Sequence, residues 1–302
     1  MFWVMRPVYR NFRQLAASLT PSRLLPAVGW GSLGYALLTI LLALAWWWLA
    51  GIYGRRPESL RGYVVWSRSQ IAKYLPGNVL HYFSRQVLGR QVGVGHEALL
   101  ASGLLEMVSL MLAASLLALF GALQASSAAW RDWHVILLAL GLVLAGLFAW
   151  PALEALLRRV PYFSGRMQAL PKMSLRAAAK LLLPAVTAHF AFFTGTGALL
   201  WWLGLKLSPA TPRAFFPFLW AYALAWMAGT ITPGAPGGLG VREAVLALQL
   251  GPMLGQPQAA MLALALRLVT VSGDVLTAGA GWLFHFLRPN LPGEPRENPE
   301  GG

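Results

Sequence analysis

Residues 27–51 read AVGWGSLGYALLTILLALAWWWLAG, and this stretch decides the class of fold. It contains no charged residue and ends in Trp46, Trp47 and Trp48. Such amphipathic aromatics collect where a bilayer core meets its headgroups. About 20 apolar residues make a helix that crosses that core. Working outward, similar runs follow. Residues 98–124 are apolar except for Glu106, and 135–153 are uncharged, with Trp130, Trp133 and Trp150 towards the ends. Residues 181–205, 214–231 and 258–287 come next, the last holding Arg267 and Asp274. The length rule gives about six full spans.

Composition agrees. Hydrophobic residues make up 57% of the chain and charged residues 11%, where a soluble domain carries about 25% charged residues. So few charges cannot cover a water-facing surface, and a bilayer removes the need to. The expected class is an all-α, polytopic integral membrane protein. Residues 1–26 form a basic segment suited to an amphipathic surface helix, 27–287 a single transmembrane domain, and 288–302 a disordered tail rich in Pro, Gly and Glu.

The formal charge of +14 does not indicate nucleic acid. Its cations lie between and beside the apolar runs. Arg158, Arg159, Arg166, Lys172, Arg176 and Lys180 share one loop with only Glu154 against them. The positive-inside rule keeps such a loop in the cytoplasm, where it also attracts anionic lipid. The same assignment places 60–97 inside and leaves the amino terminus unassigned. With no cysteine there is neither a disulfide framework nor a thiolate site. No cleavable signal peptide is evident, since the three arginines of residues 1–13 are not followed by an apolar core.

Two segments break the pattern. Residues 230–243 read TITPGAPGGLGVRE, directly after one apolar run and directly before another. Pro and Gly at this density, including Pro236, Gly237, Gly238 and Gly240, cannot continue a regular helix. Such clusters are commonly surface loops. This one has almost no side chain to offer water. Irregular backbone at membrane depth persists where protein buries it or where it lines a wet cavity. A helix restarting near Gly240 would point free N–H groups into that cavity, where a phosphate or carboxylate fits. Arg242 adds a bidentate donor, and Glu243 suits the helix start as a dipole partner or as an ion pair to an arginine.

The Pro76-Gly77 step, inside KYLPGN at residues 73–78, repeats the theme. Arg85 follows Pro76, and Arg242 follows Pro233, by the same nine residues. Paired interruptions in two halves point to a transporter's binding site, and the chain is a candidate for an inverted repeat. The expected architecture is thus six spans plus two Pro/Gly-broken re-entrant segments.

Charges within spans are costly and face a partner or a cavity. Glu106, Arg267 and Asp274 are of this kind, with His189 and His285 beside them. Arg267 and Asp274 lie about two turns apart and share a helix face. Two roles fit that face: a polar path, or a structural ion pair with Glu106 or Glu243. His81 and His134 read as solvated or stacking residues near interfaces. No enzyme chemistry emerges. His96-Glu97 lacks a second histidine four residues on. The glycine clusters lack a phosphate loop's Lys-Ser/Thr, and no Gly-x-Ser-x-Gly elbow occurs. We expect neither an enzyme, a metal site nor a cofactor.

KYLPGN at 73–78, PGGLGVRE at 236–243 and ALRL at 265–268 resemble signatures of the lysylphosphatidylglycerol synthase transmembrane-region family. Its best-known relative is the flippase part of the bacterial multiple peptide resistance factor. The resemblance covers roughly residues 51–287. It implies a multi-pass protein of the bacterial inner membrane that moves or presents an anionic phospholipid or polyprenyl-linked lipid. On this reading Arg85, Arg242 and the helix start of Gly237, Gly238 and Gly240 hold the headgroup phosphate. Arg267 and Asp274 would supply a polar or proton-linked path, and Lys73, Pro76, Gly77, Glu106, Pro236 and Glu243 complete the expected substrate-binding residues. The chain departs from the family in two ways. It ends soon after its last span, so synthesis of lysyl lipid is not expected, and the first span of typical relatives is missing or replaced by residues 1–23. Membrane lipids are the expected partners, with a homo-oligomer or a lipid-modifying enzyme as further candidates. The alternative is a non-transporting membrane partner of such an enzyme.

Overall fold

The computed structural model describes residues 21–52, 54, 56–75, 80–124, 175–207, 215–232 and 234–287. The segment 1–20, Pro76, Gly77, Pro233, the run 135–153, the basic loop through Lys172 and the tail 288–302 lie outside the described residues. Among those described, every regular element is helical. In order these are α1 (Pro21–Ala50), α2 (Ser59–Ser69), a first 3₁₀ turn (Gln70–Tyr74), α3 (Leu80–Gln91) and α4 (His96–Gln124). There follow α5 (Leu175–Leu207), α6 (Phe216–Ile231), a second 3₁₀ turn (Pro236–Gly238), α7 (Val241–Leu254) and α8 (Gln256–Leu287).

Four of these helices are long and apolar enough to cross a bilayer: Ser22–Ala50, His96–Gly121, Lys180–Leu207 and Gln256–Leu287. The sequence counts 214–231 as a further full span, but α6 has 16 residues. At about 1.5 Å per residue it is shorter than a core of about 30 Å. Its termination at Ile231 has a direct cause, because the Pro/Gly stretch begins there. Helices α2, α3 and α7 are shorter still. In each broken segment the short helices pack on one another, α2 on α3 and α6 on α7.

The two halves repeat. Each runs as a long helix, a short helix, a 3₁₀ turn, a second short helix, a glycine at φ 82°, and another long helix. The first of these glycines, Gly93, closes α3: its N–H meets the Arg90 carbonyl at 3.0 Å and the Val94 N–H meets the Gly89 carbonyl at 3.1 Å. This is the left-handed cap that glycine favours. Packing follows the repeat. Helix α1 lies against α5; α1 packs on α8 as α5 packs on α4, and α2 on α8 as α6 on α4. The two 3₁₀ turns touch each other where the halves meet.

Small residues bring these helices close, as they do inside membranes where apolar burial gives little drive. A Cβ on Gly31 would lie 2.9 Å from Val269, and one on Gly273 would lie 2.9 Å from the Ser32 carbonyl, so α1 and α8 nearly touch backbones. Across the same seam the Thr39 and Thr277 hydroxyls share a hydrogen bond of 2.9 Å. Large side chains such as Trp30, Leu37, Leu283 and Phe286 face outward instead, as a lipid-facing surface requires. Between α5 and α6 the gap is filled by backbone: a Cβ on Gly197 would lie 2.7 Å from Leu219 Cα. Backbone cannot swing aside as a side chain can. Gly197→Ala should therefore destabilise the protein by about 1–3 kcal/mol, read as earlier thermal unfolding in detergent; a midpoint equal to wild type would contradict this packing.

Candidate functional site

The site assembles where the two 3₁₀ turns meet. The first turn directs Lys73 and Tyr74 across the seam to Asp274 on α8. Lys73 Nζ lies 2.8 Å from Asp274 Oδ2, and the Tyr74 hydroxyl donates to the same oxygen at 2.5 Å. The Asp274 side chain is 1% exposed, and its Oδ1 has no hydrogen-bond partner. Asp274 thus joins the halves.

A second pair lies within the first half. Arg85 on α3 binds Glu106 on α4, and both are buried. Trp66 Nε1 donates to the other Glu106 oxygen at 3.3 Å, and Arg85 Nε donates to Ser69 Oγ at 3.3 Å. The Arg85 guanidinium also sits 5.2 Å from the Trp46 ring centre, 5.9 Å from Trp66 and 5.5 Å from Tyr82. Every formal charge here is met.

The third pair belongs to the second half. Glu243, in the first turn of α7, reaches back to accept from the Gly240 N–H at 2.5 Å. Glycine has no side chain to reciprocate, so this is half of a capping box. The other Glu243 oxygen lies 3.4 Å from Arg267 Nε, a charge contact without hydrogen-bond geometry, while Arg267 Nη1 donates to the Gly237 carbonyl at 3.0 Å. Gly237 holds a left-handed backbone at φ 57° and lies close to Tyr74 and Arg267. Tyr74 also lies under Arg267, 5.6 Å from guanidinium carbon to ring centre.

Arg242 is left over. Its side chain passes between two glycines: a Cβ on Gly229 of α6 would lie 2.5 Å from Arg242 Cγ, and one on Gly238 would lie 2.5 Å from Arg242 Nε. The guanidinium stands 5.7 Å from the Trp226 ring centre, and Nε is buried with no hydrogen-bond partner. Arg242 lines a cavity of about 340 Å³ together with Lys73, Arg85, Glu106, Gln70, His81 and Tyr82. Trp66, Trp226, Phe192 and Tyr35 complete much of its apolar wall. The cavity draws on both halves. It can accept an anion at Arg242 beside aromatic surface. Among the described residues no cluster of His, Cys, Asp or Glu could hold a metal ion.

A family model for the lysylphosphatidylglycerol synthase TM region matches residues 1–277. The chain belongs to that family. Neither the curated proteins nor the solved structures gave a match. The lysylphosphatidylglycerol synthase TM region is a membrane domain associated with flippase-like lipid function. The motifs that carry the resemblance converge on the site. The KYL of 73–75 ends the first turn, PGGLGVRE forms the second turn and the start of α7, and ALRL carries Arg267.

Most of the sequence's site residues come together here: Lys73, Arg85, Glu106, Gly237, Gly238, Gly240, Arg242, Glu243, Arg267 and Asp274. Arg267 and Asp274 do share a face, but each meets a different partner, and Tyr74 touches both. Of the two readings of His81, stacking and not solvation holds: it lies against Tyr82, with ring centres 4.0 Å apart, at the cavity wall. Sequence reading missed Tyr74, Trp66, Ser69, Trp226 and Gly229 as site residues. Tyr74 lay inside a motif already singled out. A glycine at 229, three residues before the Pro/Gly stretch begins to bend, was the available signal for the slot.

Proposed function

We propose that this protein is a flippase-like transporter of the bacterial inner membrane, whose cavity receives a lipid headgroup phosphate at Arg242. One observation carries the reading: Arg242 is a buried-rooted cation with an unpartnered Nε, in a cavity walled by two repeated halves. Burying a cation without an anion is costly, so a site that keeps one is suited to receive a negative group. The start of α7 is less available than its position suggests, because Glu243 already serves it. A cavity at the meeting point of two repeats, built from broken helices, matches the general logic of alternating-access carriers. Aromatic and aliphatic walls accommodate the apolar part of a lipid near its glycerol or prenyl root.

The test is lipid movement in vesicles. Purified protein reconstituted with labelled anionic lipid should raise transbilayer exchange above protein-free vesicles. Arg242→Ala should lower that rate by about tenfold, the consequence of losing a charged hydrogen bond worth about 1.5–3 kcal/mol. Exchange equal to empty vesicles, or unchanged in Arg242→Ala, would sink the proposal.

A further inference from the structure

We infer that the cavity selects a phosphodiester headgroup carrying one net negative charge and no amine. This rests on the reading of Arg242 as the phosphate contact, and it narrows the class of lipid that the site can take.

Among the described residues, the charges around the cavity are Lys73, Arg85, Arg242 and Arg267 against Glu106, Glu243 and Asp274. Three pairs are made: Lys73 with Asp274, Arg85 with Glu106, and Arg267 with Glu243. Among the described residues one cation of the cluster, Arg242, remains outside these pairs. Burial beside Arg85 and Lys73 keeps the His81 imidazole uncharged, so it adds nothing to the sum. A single negative charge therefore neutralises the cluster.

A phosphomonoester or diphosphate brings a second charge. The cations left to meet it from the cavity wall are Arg85 and Lys73; recruiting Arg85 strips buried Glu106 of its ion pair, and recruiting Lys73 strips Asp274 of its own. That carboxylate is 1% exposed and already has one oxygen without a partner. Leaving a buried charge uncompensated is strongly unfavourable. An amine-bearing headgroup, whether an ethanolamine or an aminoacyl ester, fails differently. Its ammonium needs a carboxylate; of the three, Glu106 alone lines the cavity, and both its oxygens are engaged, by Arg85 and by Trp66. Both glycerol phosphodiesters and prenyl phosphoryl-sugars satisfy the rule, since each carries one charge on a diester.

Titration calorimetry on the detergent-purified full chain tests this. The probes are dihexanoyl phosphatidylglycerol, phosphatidate and phosphatidylethanolamine, a short prenyl phosphoryl-hexose, and inorganic phosphate. The measurement is made at about pH 8, where a phosphomonoester carries its second charge. We expect at least one of the two diesters to bind about tenfold or more tighter than phosphatidate and phosphatidylethanolamine. Whichever diester binds tighter identifies the lipid source, and inorganic phosphate, mostly a dianion at this pH, binding as well as either would overturn the one-charge rule. Asp274→Asn should narrow or invert the gap between phosphatidylglycerol and phosphatidate, because it frees Lys73. Phosphatidate or phosphatidylethanolamine equalling the diesters in wild type would overturn the inference, and that ranking decides the matter even where Asp274→Asn does not fold. If Arg242→Gln leaves diester binding unchanged, the placement of the headgroup fails instead, whatever the ranking.

Discussion

Arg85→Ala should destabilise the protein more than any other single change in the cavity wall, by about 3–5 kcal/mol. The cause is what it leaves behind. Glu106 is 4% exposed, and without Arg85 its carboxylate keeps only the Trp66 indole N–H as a donor. The guanidinium also fills space among Trp46, Trp66 and Tyr82, so its loss opens a gap between aromatic rings. Removing both charges should be gentler. An apolar pair of similar volume, Arg85→Met with Glu106→Leu, strands neither partner and should recover most of the loss. Thermal unfolding in a fixed detergent, compared across the two single variants and the double, reads this directly. A double variant as unstable as Arg85→Ala would show that the stranded Glu106 charge is not the cause of the loss.

The same residues show what a sequence can and cannot disclose. The spans are legible because a bilayer imposes length and apolarity on each helix separately, and 27–51 meets both demands without reference to any neighbour. The broken segments are legible for an equally local reason, since Pro and Gly forbid a regular helix wherever they cluster. Partnership is different. Tyr74 and Asp274 are 200 positions apart, and they meet only because the first turn packs against the opposite half's α8. No spacing rule contains that exchange.

Arg242 and Glu243 make the point more sharply. Both fall at the start of α7, and both read as candidates for an anion site or an ion pair. Successive helical residues diverge by about 100° around the axis. Glu243 consequently turns back to Gly240 and towards Arg267, while Arg242 turns into the slot beside α6. Adjacent letters acquire opposite fates, one satisfied and one not. The length of α6 has a local cause instead: the helix begins at Phe216 and the Pro/Gly stretch ends it at Ile231, after 16 residues.

Gly229→Ala offers the cleanest separation of function from stability. Gly229 has an ordinary helical backbone within α6 and is not among the glycines held at positive φ. Alanine favours a helix over glycine by about 1 kcal/mol, so the backbone has no objection to the change. The space does. The new methyl would lie 2.5 Å from Arg242 Cγ and 2.8 Å from its Nε, and the flexible arginine must leave the slot. Lipid exchange in vesicles should fall about as far as in Arg242→Ala, near tenfold, while the unfolding temperature stays close to wild type. Two neighbours calibrate the result. Gly238→Ala meets the same arginine but at φ 71°, so it should lose both exchange and stability. Gly234→Ala, at φ 75° with nothing within 4 Å, carries backbone strain of about 1–2 kcal/mol and should keep its exchange rate. If Gly229→Ala moved lipid at the wild-type rate with Arg242 displaced, the guanidinium's position would be irrelevant to transport, and the phosphate contact would have to be sought elsewhere in the cavity.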